Sequence, residues 1–205
     1  EVVIYDAELT LGLPVSISMT SGLNAMAHAA EALYARDRNP IASLMAVDGL
    51  RAMIDALPVI REAPHDIDAR ETALYGAWLC GTVLGAVGMS LHHKLCHTLG
   101  GSLDLPHAET HAVLLPHTIA YVEEAAPDLL APLAALVGGR AGPGLYDFAA
   151  RLGAPSSLAA LGVGADDLDP MAELATANPY WCPRAIEKNA IRDLLQRAFE
   201  GSRPD

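Results

Sequence analysis

A histidine-rich segment, Leu91–His117, constrains this chain more than any other feature. Six of the chain's eight histidines lie in it, and a seventh, His28, lies in the apolar stretch Ser21–Tyr34. Imidazole is polar, titrates near neutral pH and binds metals, so its concentration within apolar sequence indicates a functional site. We therefore expect the two stretches to meet in the folded protein.

The spacing of these residues predicts which side chains share a site. Residues four apart lie on one face of a helix, which pairs Asn24 with His28 and His93 with His97. A proline directly before His107 suits the start of another helix, where its missing N–H costs nothing. Three helices would thus deliver five polar side chains to one pocket.

The composition favours packed helices. Hydrophobic residues make up 52% of the chain, many of them alanine and leucine, and aromatic residues only 5%. A length of 205 residues is enough for one large domain, by a prior of roughly 100–200 residues per domain. The prediction is a single all-α domain over residues 1–205, joined by short connections.

Capping and proline signals predict the helix boundaries. Ser21 would cap the first helix and Asn39 the second, while a third would begin near Asp66–Asp68. Further helices are expected over Gly144–Leu152 and, at the end of the chain, Arg184–Phe199.

Two further local patterns make predictions of their own. The β-branched run Val2–Tyr5 predicts a lone strand. Gly81, Gly85 and Gly88 are four and three residues apart, which predicts a helix face that another backbone approaches closely.

Charge and cysteine content exclude several classes of protein. The net charge is -12, with 13 basic against 25 acidic residues, which argues against a nucleic-acid partner because phosphate binding needs lysine and arginine. Three widely spaced cysteines make a disulfide framework a poor expectation and the cytoplasm the default location. No apolar run approaches the ~18 residues of a membrane span, and the start of the chain has no signal-peptide pattern.

The histidine spacings resemble the iron-containing alcohol dehydrogenase family, whose helical domain carries Asp-x-x-x-His, then His-x-x-x-His-x-x-x-Gly, then Pro-His. The corresponding residues are Asn24 and His28, then His93, His97 and Gly101, then Pro106 and His107. The runs HHKLCHTLGG and NPYWCPR look like the maleylacetate reductase branch of that family. Several spacings agree at once, and the resemblance extends over essentially the whole chain.

This resemblance implies a fold and partners that composition alone does not reveal. The fold would be the C-terminal helical domain of the dehydroquinate synthase-like type, with residues 1–14 leading in from a nucleotide-binding α/β domain. No Gly-x-Gly-x-x-Gly turn between a strand and a helix is present in these 205 residues. NADH or NADPH would therefore be bound mainly by the preceding domain, and a homodimer is expected.

The family's metal ligands would correspond to His28, His93 and His107. The position of the family's anionic ligand is Asn24, whose amide oxygen is an uncharged, weak donor. A hydrogen-bonded polar cluster is therefore the expectation, and a divalent iron or zinc ion the less favoured alternative.

The resemblance also implies roles in catalysis. His97 would face the nicotinamide and the substrate as proton donor, with His93, His28 and His107 completing the catalytic set. Arg184, Lys94 and Asn24 would contact a dicarboxylate substrate, arginine being the better bidentate partner. The three other histidines of the segment are expected at the surface or at helix caps: His92, His111 and His117.

The function implied is reduction of maleylacetate to 3-oxoadipate in the degradation of aromatic compounds. Two other interpretations stay open at this point. One is a metal-dependent alcohol or polyol dehydrogenase with the same fold. The other is a non-enzymatic helical module whose histidines bind metal or pack between subunits.

Overall fold

The computed structural model describes residues 2–205, and within that part of the chain the regular structure is entirely helical. Nine α-helices follow one another: α1 (Val15–Tyr34), α2 (Pro40–Glu62), α3 (Ile67–Ala86), α4 (Leu91–Leu103), α5 (His107–Glu123), α6 (Pro127–Val137), α7 (Ala141–Leu152), α8 (Leu168–Ala177) and α9 (Lys188–Glu200). Short 3-10 turns span Glu8–Thr10, Ala159–Leu161 and Ala165–Asp167. The all-α prediction is confirmed.

Helices α1, α2 and α3 pack on one another at close range. A Cβ placed on Gly49 of α2 would lie 3.0 Å from Cys80 Sγ, and one on Gly76 of α3 would lie 3.2 Å from the carbonyl oxygen of Gly49. Only glycine allows helices to approach this closely. The prediction for Gly81, Gly85 and Gly88 was wrong within residues 2–205. A Cβ on Gly81 or Gly85 would meet nothing within 4 Å, and one on Gly88 would meet only the carboxylate of Asp37.

The first helix begins earlier than the capping pattern predicted. Pro14 adopts ψ 140° directly before α1, and its carbonyl oxygen accepts the N–H of Ser18, so the first turn forms there. Ser21 consequently lies inside the helix. The cap of α2 is confirmed, since the Asn39 side chain accepts the N–H of Ala42. Helix α3 begins where predicted, and the Asp66 side chain accepts the N–H of Ala69 there.

Two later helices differ from their predicted starts because of contacts distant in sequence. Helix α7 begins at Ala141 rather than Gly144, because the carboxylate of Glu123 accepts the N–H groups of Ala141 and Gly142 at 2.7 and 3.3 Å. Helix α9 begins at Lys188 rather than Arg184. The residues before it belong to a loop that is attached to α4 and α5.

The start of the chain has no strand in the part that the structure describes. Val2, Val3 and Ile4 are 73–89% exposed and pair with no other strand, so the strand prediction was wrong for these residues. A single β-branched run needs a neighbouring strand for its backbone hydrogen bonds.

Helices α3 and α4 meet at an angle of 95°. By length and composition, no single helix within residues 2–205 could cross a membrane, although α3 and α4 taken together are long and apolar enough to do so. The sharp bend points the N-terminus of α4 at the last turns of α1, where Glu31 accepts the N–H groups of Ser90 and His92. It thereby brings the histidine-rich segment against the stretch around His28.

Candidate active site

The imidazoles predicted to share a pocket form one cluster between α1, α4 and α5. The His28 ring stacks on that of His93 with centroids 5.0 Å apart, and His97 lies 5.9 Å from His93. His111 joins His107 to the group, because its ring centroid lies 4.4 Å from His107 and 5.0 Å from His93. The four predicted histidines are therefore brought together, with a fifth that the sequence had not indicated.

The cluster has an open rim and a buried floor. His97 and His107 are exposed, and Asn24 and His28 are half-buried. His93 is only 4% exposed. The Oδ1 atom of Asn24 and the Nε2 atom of His93 are buried and have no hydrogen-bond partner within residues 2–205. A ligand entering from the rim would therefore meet groups that have hydrogen-bonding capacity to spare.

A buried carboxylate, Glu31, holds the floor in place. Its side chain is inaccessible to solvent and accepts hydrogen bonds from the backbone N–H of Ser90 (2.8 Å), the backbone N–H of His92 (2.7 Å), His93 Nδ1 (2.7 Å) and the Tyr34 hydroxyl (3.2 Å). Ser90 provides no side-chain cap of its own, so Glu31 satisfies the N-terminus of α4 and complements its dipole.

Glu31 also determines what His93 offers to the site. The hydrogen-bond network assigns the ring proton to Nδ1, which donates to the carboxylate, so Nε2 carries a lone pair. We had not singled out Glu31 from the sequence. The available signal was its position three residues after His28 and seven after Asn24, on the same face of a helix.

A second network lies beneath the cluster, and it corrects the expectation of surface or capping roles for three histidines. His92 is fully buried, with Nδ1 3.0 Å from Thr118 Oγ1 and Nε2 2.9 Å from His111 Nδ1. His111 is also fully buried. His117 lies outside this network, buried beside Tyr146, and neither of its ring nitrogens has a hydrogen-bond partner in the part of the chain that the structure describes.

Comparisons with known proteins agree with this geometry. The family model "Fe-containing alcohol dehydrogenase family, C-terminal" matches residues 18–199. The chain belongs to the iron-containing alcohol dehydrogenase family. It is 87% identical over 205 residues to a maleylacetate reductase of Rhizobium sp. (strain MTP-10005), covering 100% of this chain and 58% of that protein.

Solved structures agree in fold. A crystal structure of maleylacetate reductase from Agrobacterium tumefaciens is 94% identical with a TM-score of 0.99, over 100% of this chain and 58% of that one. An iron-containing alcohol dehydrogenase from Corynebacterium glutamicum is 39% identical with a TM-score of 0.93, over 98% and 57% respectively. The chain thus spans somewhat more than half the length of these relatives.

The environment lowers the pKa of three imidazoles in the cluster of this family member. Burial, followed by repulsion from His93 and His107, lowers the pKa of His28 from 6.5 to about 4. The same causes in the same order lower the pKa of His97, and burial above all lowers that of His111 to about 2. At neutral pH these three imidazoles therefore present N–H donors and nitrogen lone pairs rather than positive charge.

The donors do not fit a preformed metal centre, although the family name implies iron. Within residues 2–205, one set of three His, Cys, Asp or Glu side chains has all its ligand atoms within 4.8 Å of one another, and that set is His92, Cys96 and His111. Two nitrogens bound to one ion lie at most about 4.2 Å apart, so His28, His93 and His107 are not gathered around a common point.

The buried set does not fit a metal either. Two imidazole nitrogens on one tetrahedral zinc ion lie about 3.3 Å apart, whereas His92 Nε2 and His111 Nδ1 are separated by 2.9 Å, which is a hydrogen-bond length. No carboxylate takes part in this set. The arrangement is a hydrogen-bond network rather than a coordination site.

The predicted substrate-binding cations lie in different surroundings. The Arg184 guanidinium donates to the carbonyl oxygen of Tyr121 (3.0 Å), lies 4.0 Å from the centroid of that ring and pairs with Glu124 at 2.6 Å. Lys94 Nζ lies 5.5 Å from the ring centroid of Tyr180. Arg184 therefore attaches the loop before α9 to α5, and its part in substrate binding stays a prediction.

Proposed function

We propose that residues 1–205 are the C-terminal helical catalytic domain of an NAD(P)H-dependent maleylacetate reductase, with residues 1–14 leading in from a preceding domain. The observation that carries the proposal is the 87% identity, over the whole chain, to a maleylacetate reductase. The imidazole cluster between α1, α4 and α5 supports it by supplying groups suited to proton transfer and to hydrogen bonding of an oxyanion.

The preceding domain would bind NADH or NADPH, because the relatives extend well beyond the matched region and this chain has no dinucleotide-binding turn. His97, exposed at the rim of the cleft, would face the nicotinamide. We further propose a homodimer in the cytoplasm, as the family resemblance implies.

Reduction of maleylacetate to 3-oxoadipate adds one hydride and one proton across the double bond conjugated to the ketone. When bound, the reduced nicotinamide supplies the hydride to one alkene carbon. Negative charge then develops on the ketone oxygen, and the other alkene carbon takes the proton. The residues of this chain have two tasks, which are to stabilise that oxygen and to deliver that proton.

His97 is the proposed proton donor. Burial and the neighbouring imidazoles lower the pKa of His97, which makes its protonated form a stronger acid but a scarcer one at neutral pH. The ring N–H groups of His28 and His107 are proposed to donate hydrogen bonds to the developing oxyanion, while His93, whose N–H is given to Glu31, lines the floor. None of these steps requires a metal ion.

The substrate carboxylates would bind at the rim, with Lys94, Arg184 and the Asn24 amide as candidate partners. A carboxylate that takes Arg184 must replace Glu124, which already pairs with it at 2.6 Å. The Lys94 ammonium group lies over the ring of Tyr180, so a small movement of the loop before α9 would free the ammonium group for the substrate.

The test is an assay of the complete protein, including its nucleotide-binding domain, for maleylacetate-dependent oxidation of NADH and of NADPH. The expected result is turnover with release of 3-oxoadipate. A simple alcohol or polyol with NAD⁺ serves as the competing substrate, because the metal-dependent alternative predicts its oxidation. Activity on the alcohol combined with none on maleylacetate would overturn the proposal.

A further inference from the structure

Beneath the cluster, hydrogen bonds link Thr118, His92 and His111 in one chain. Thr118 Oγ1 lies 3.0 Å from the carbonyl oxygens of both Leu114 and Leu115, which are on its own helix. Its single hydrogen is therefore donated to the helix backbone, the usual arrangement of a threonine inside a helix. The hydroxyl oxygen is left to accept a hydrogen bond from His92 Nδ1, which is 3.0 Å away.

This arrangement fixes the tautomer of His92. With the proton on Nδ1, the Nε2 atom carries a lone pair. The Cys96 thiol favours the same tautomer, since Sγ lies 3.6 Å from His92 Nε2. Burial, and then the nearby Glu31 carboxylate, raise the pKa of Cys96 well above its ordinary value, so the thiol keeps its proton and can donate.

The tautomer of His111 follows from that of His92. Its Nδ1 atom lies 2.9 Å from the His92 Nε2 lone pair and must carry the proton that it donates. The second nitrogen, Nε2, therefore carries a buried lone pair, which has no hydrogen-bond partner among the residues that the structure describes.

The His111 ring stands between two residues of the proposed site. Its centroid lies 4.4 Å from that of His107 and 5.0 Å from that of His93, with the rings tilted by 52° and 69°. A turn of the His111 ring out of this orientation would change its packing against both rings, and the hydrogen bond to His92 Nε2 opposes such a turn. The ring's orientation, and with it the spacing of His93 and His107, therefore depends on the hydrogen bond to His92.

We propose that His111 is a further positioning residue of the site, held between His93 and His107 by a hydrogen-bond chain that runs from Thr118 through His92. His93 and His111 then both present Nε2 lone pairs at the floor, one fixed by Glu31 and the other by Thr118. Such a floor accepts hydrogen bonds and disfavours carboxylates, which directs the two substrate carboxylates to the rim.

The test replaces Thr118 with valine, which has nearly the same shape but neither donates nor accepts. In the complete protein with nitrogen-15 histidine, solid-state spectra of the unmodified enzyme should show His92 and His111 protonated at Nδ1. Thr118→Val leaves one buried N–H without an acceptor in either arrangement, on His92 Nδ1 or on His111 Nε2, so the Nδ1–H tautomers should lose their preference and the spectrum should show a mixture of both forms. Thr118→Ser, which keeps the hydroxyl, should restore the original spectrum.

The kinetic part of the test rests on the proposed reductase activity. Thr118→Val should lower kcat roughly tenfold, the effect of one buried hydrogen bond on a barrier, with KM changing far less. Thr20→Val is the matched control, because Thr20 is also buried and donates to the carbonyl oxygen of Ser16, four residues earlier, without contacting an imidazole. It should leave both the spectrum and kcat unchanged.

Two outcomes would overturn the proposal. One is a Thr118→Val spectrum identical to that of the unmodified protein, and the other is a shifted spectrum with unchanged kcat. If Thr118→Val does not fold, His111→Phe keeps a planar ring between His93 and His107 but cannot join the chain, and normal kcat in that variant would also refute it. The tautomer measurement needs no substrate, so a complete protein that fails to reduce maleylacetate would refute the proposed function alone.

Discussion

Replacing Glu31 with glutamine should separate the structural and catalytic parts of the site. The glutamine oxygen can still accept the N–H of His92, but its NH₂ group would face the N–H of Ser90 and Nδ1 of His93, which now lie 2.8 and 2.7 Å from Oε2. Two hydrogen bonds to a charged acceptor are thereby lost. At about 1.5–3 kcal/mol each, the expected loss of stability is about 3–6 kcal/mol if His93 keeps its tautomer, and about 1 kcal/mol less if His93 Nδ1 accepts a hydrogen bond from the new NH₂ group.

Glu31→Gln should also lower the catalytic rate. His93 can avoid the new NH₂ group by moving its proton from Nδ1 to Nε2, which turns the lone pair at the floor of the site into a donor. Urea unfolding of the complete protein measures the stability change, and kcat at a temperature where the variant is folded measures the catalytic one. Both should fall.

Glu123→Gln is the matched control for this prediction. Glu123 is also a buried carboxylate that satisfies the N-terminus of a distant helix, through Ala141 and Gly142, but no histidine contacts it. This variant should lose stability and keep kcat. A Glu31→Gln protein that loses less than about 1 kcal/mol, the contribution of one ordinary hydrogen bond, would refute the reasoning.

Four further predictions concern individual side chains. His97→Ala should lower kcat roughly 10²–10⁴-fold at unchanged melting temperature, and a loss of stability alone would remove His97 from the mechanism. Arg184→Ala should raise KM for the dicarboxylate about ten- to a hundredfold, or 1.5–3 kcal/mol, whereas an unchanged KM would leave Arg184 only its pairing with Glu124. Activity should survive exhaustive chelation, and Asn24→Asp should raise the affinity for divalent ions measured by equilibrium dialysis. Stoichiometric, tightly bound iron or zinc in the unmodified enzyme would contradict both expectations. Burial, and then Arg197, lower the pKa of His117 from 6.5 to about 4. The neutral form therefore stabilises the fold above pH 6.5, and up to about 3 kcal/mol of the free energy of unfolding is lost as the pH falls to 4. Urea midpoints at the two pH values should therefore differ less in His117→Leu.

Local patterns in the chain were enough to predict the fold class and much of the site. The cap at Asn39 and the start of a helix near Asp66 were predicted correctly because each side chain acts on a backbone N–H three residues away. The convergence of His28, His93, His97 and His107 followed from helical spacing and the family resemblance. The caps and the four-residue pairs depend on residues close together in sequence, where geometry is nearly independent of the rest of the fold, whereas the meeting of the three helices was implied by the resemblance.

The supporting residues were decided by tertiary contacts. Glu31 acts on residues 59 to 62 positions away, and His92 is oriented by Thr118, 26 positions away on the next helix. In the sequence, Glu31 is one acid in an alanine-rich helix, and nothing nearby marks it as buried. A carboxylate or imidazole buried in an apolar interior needs hydrogen-bond partners, and which partners reach it depends on how α1, α4 and α5 pack.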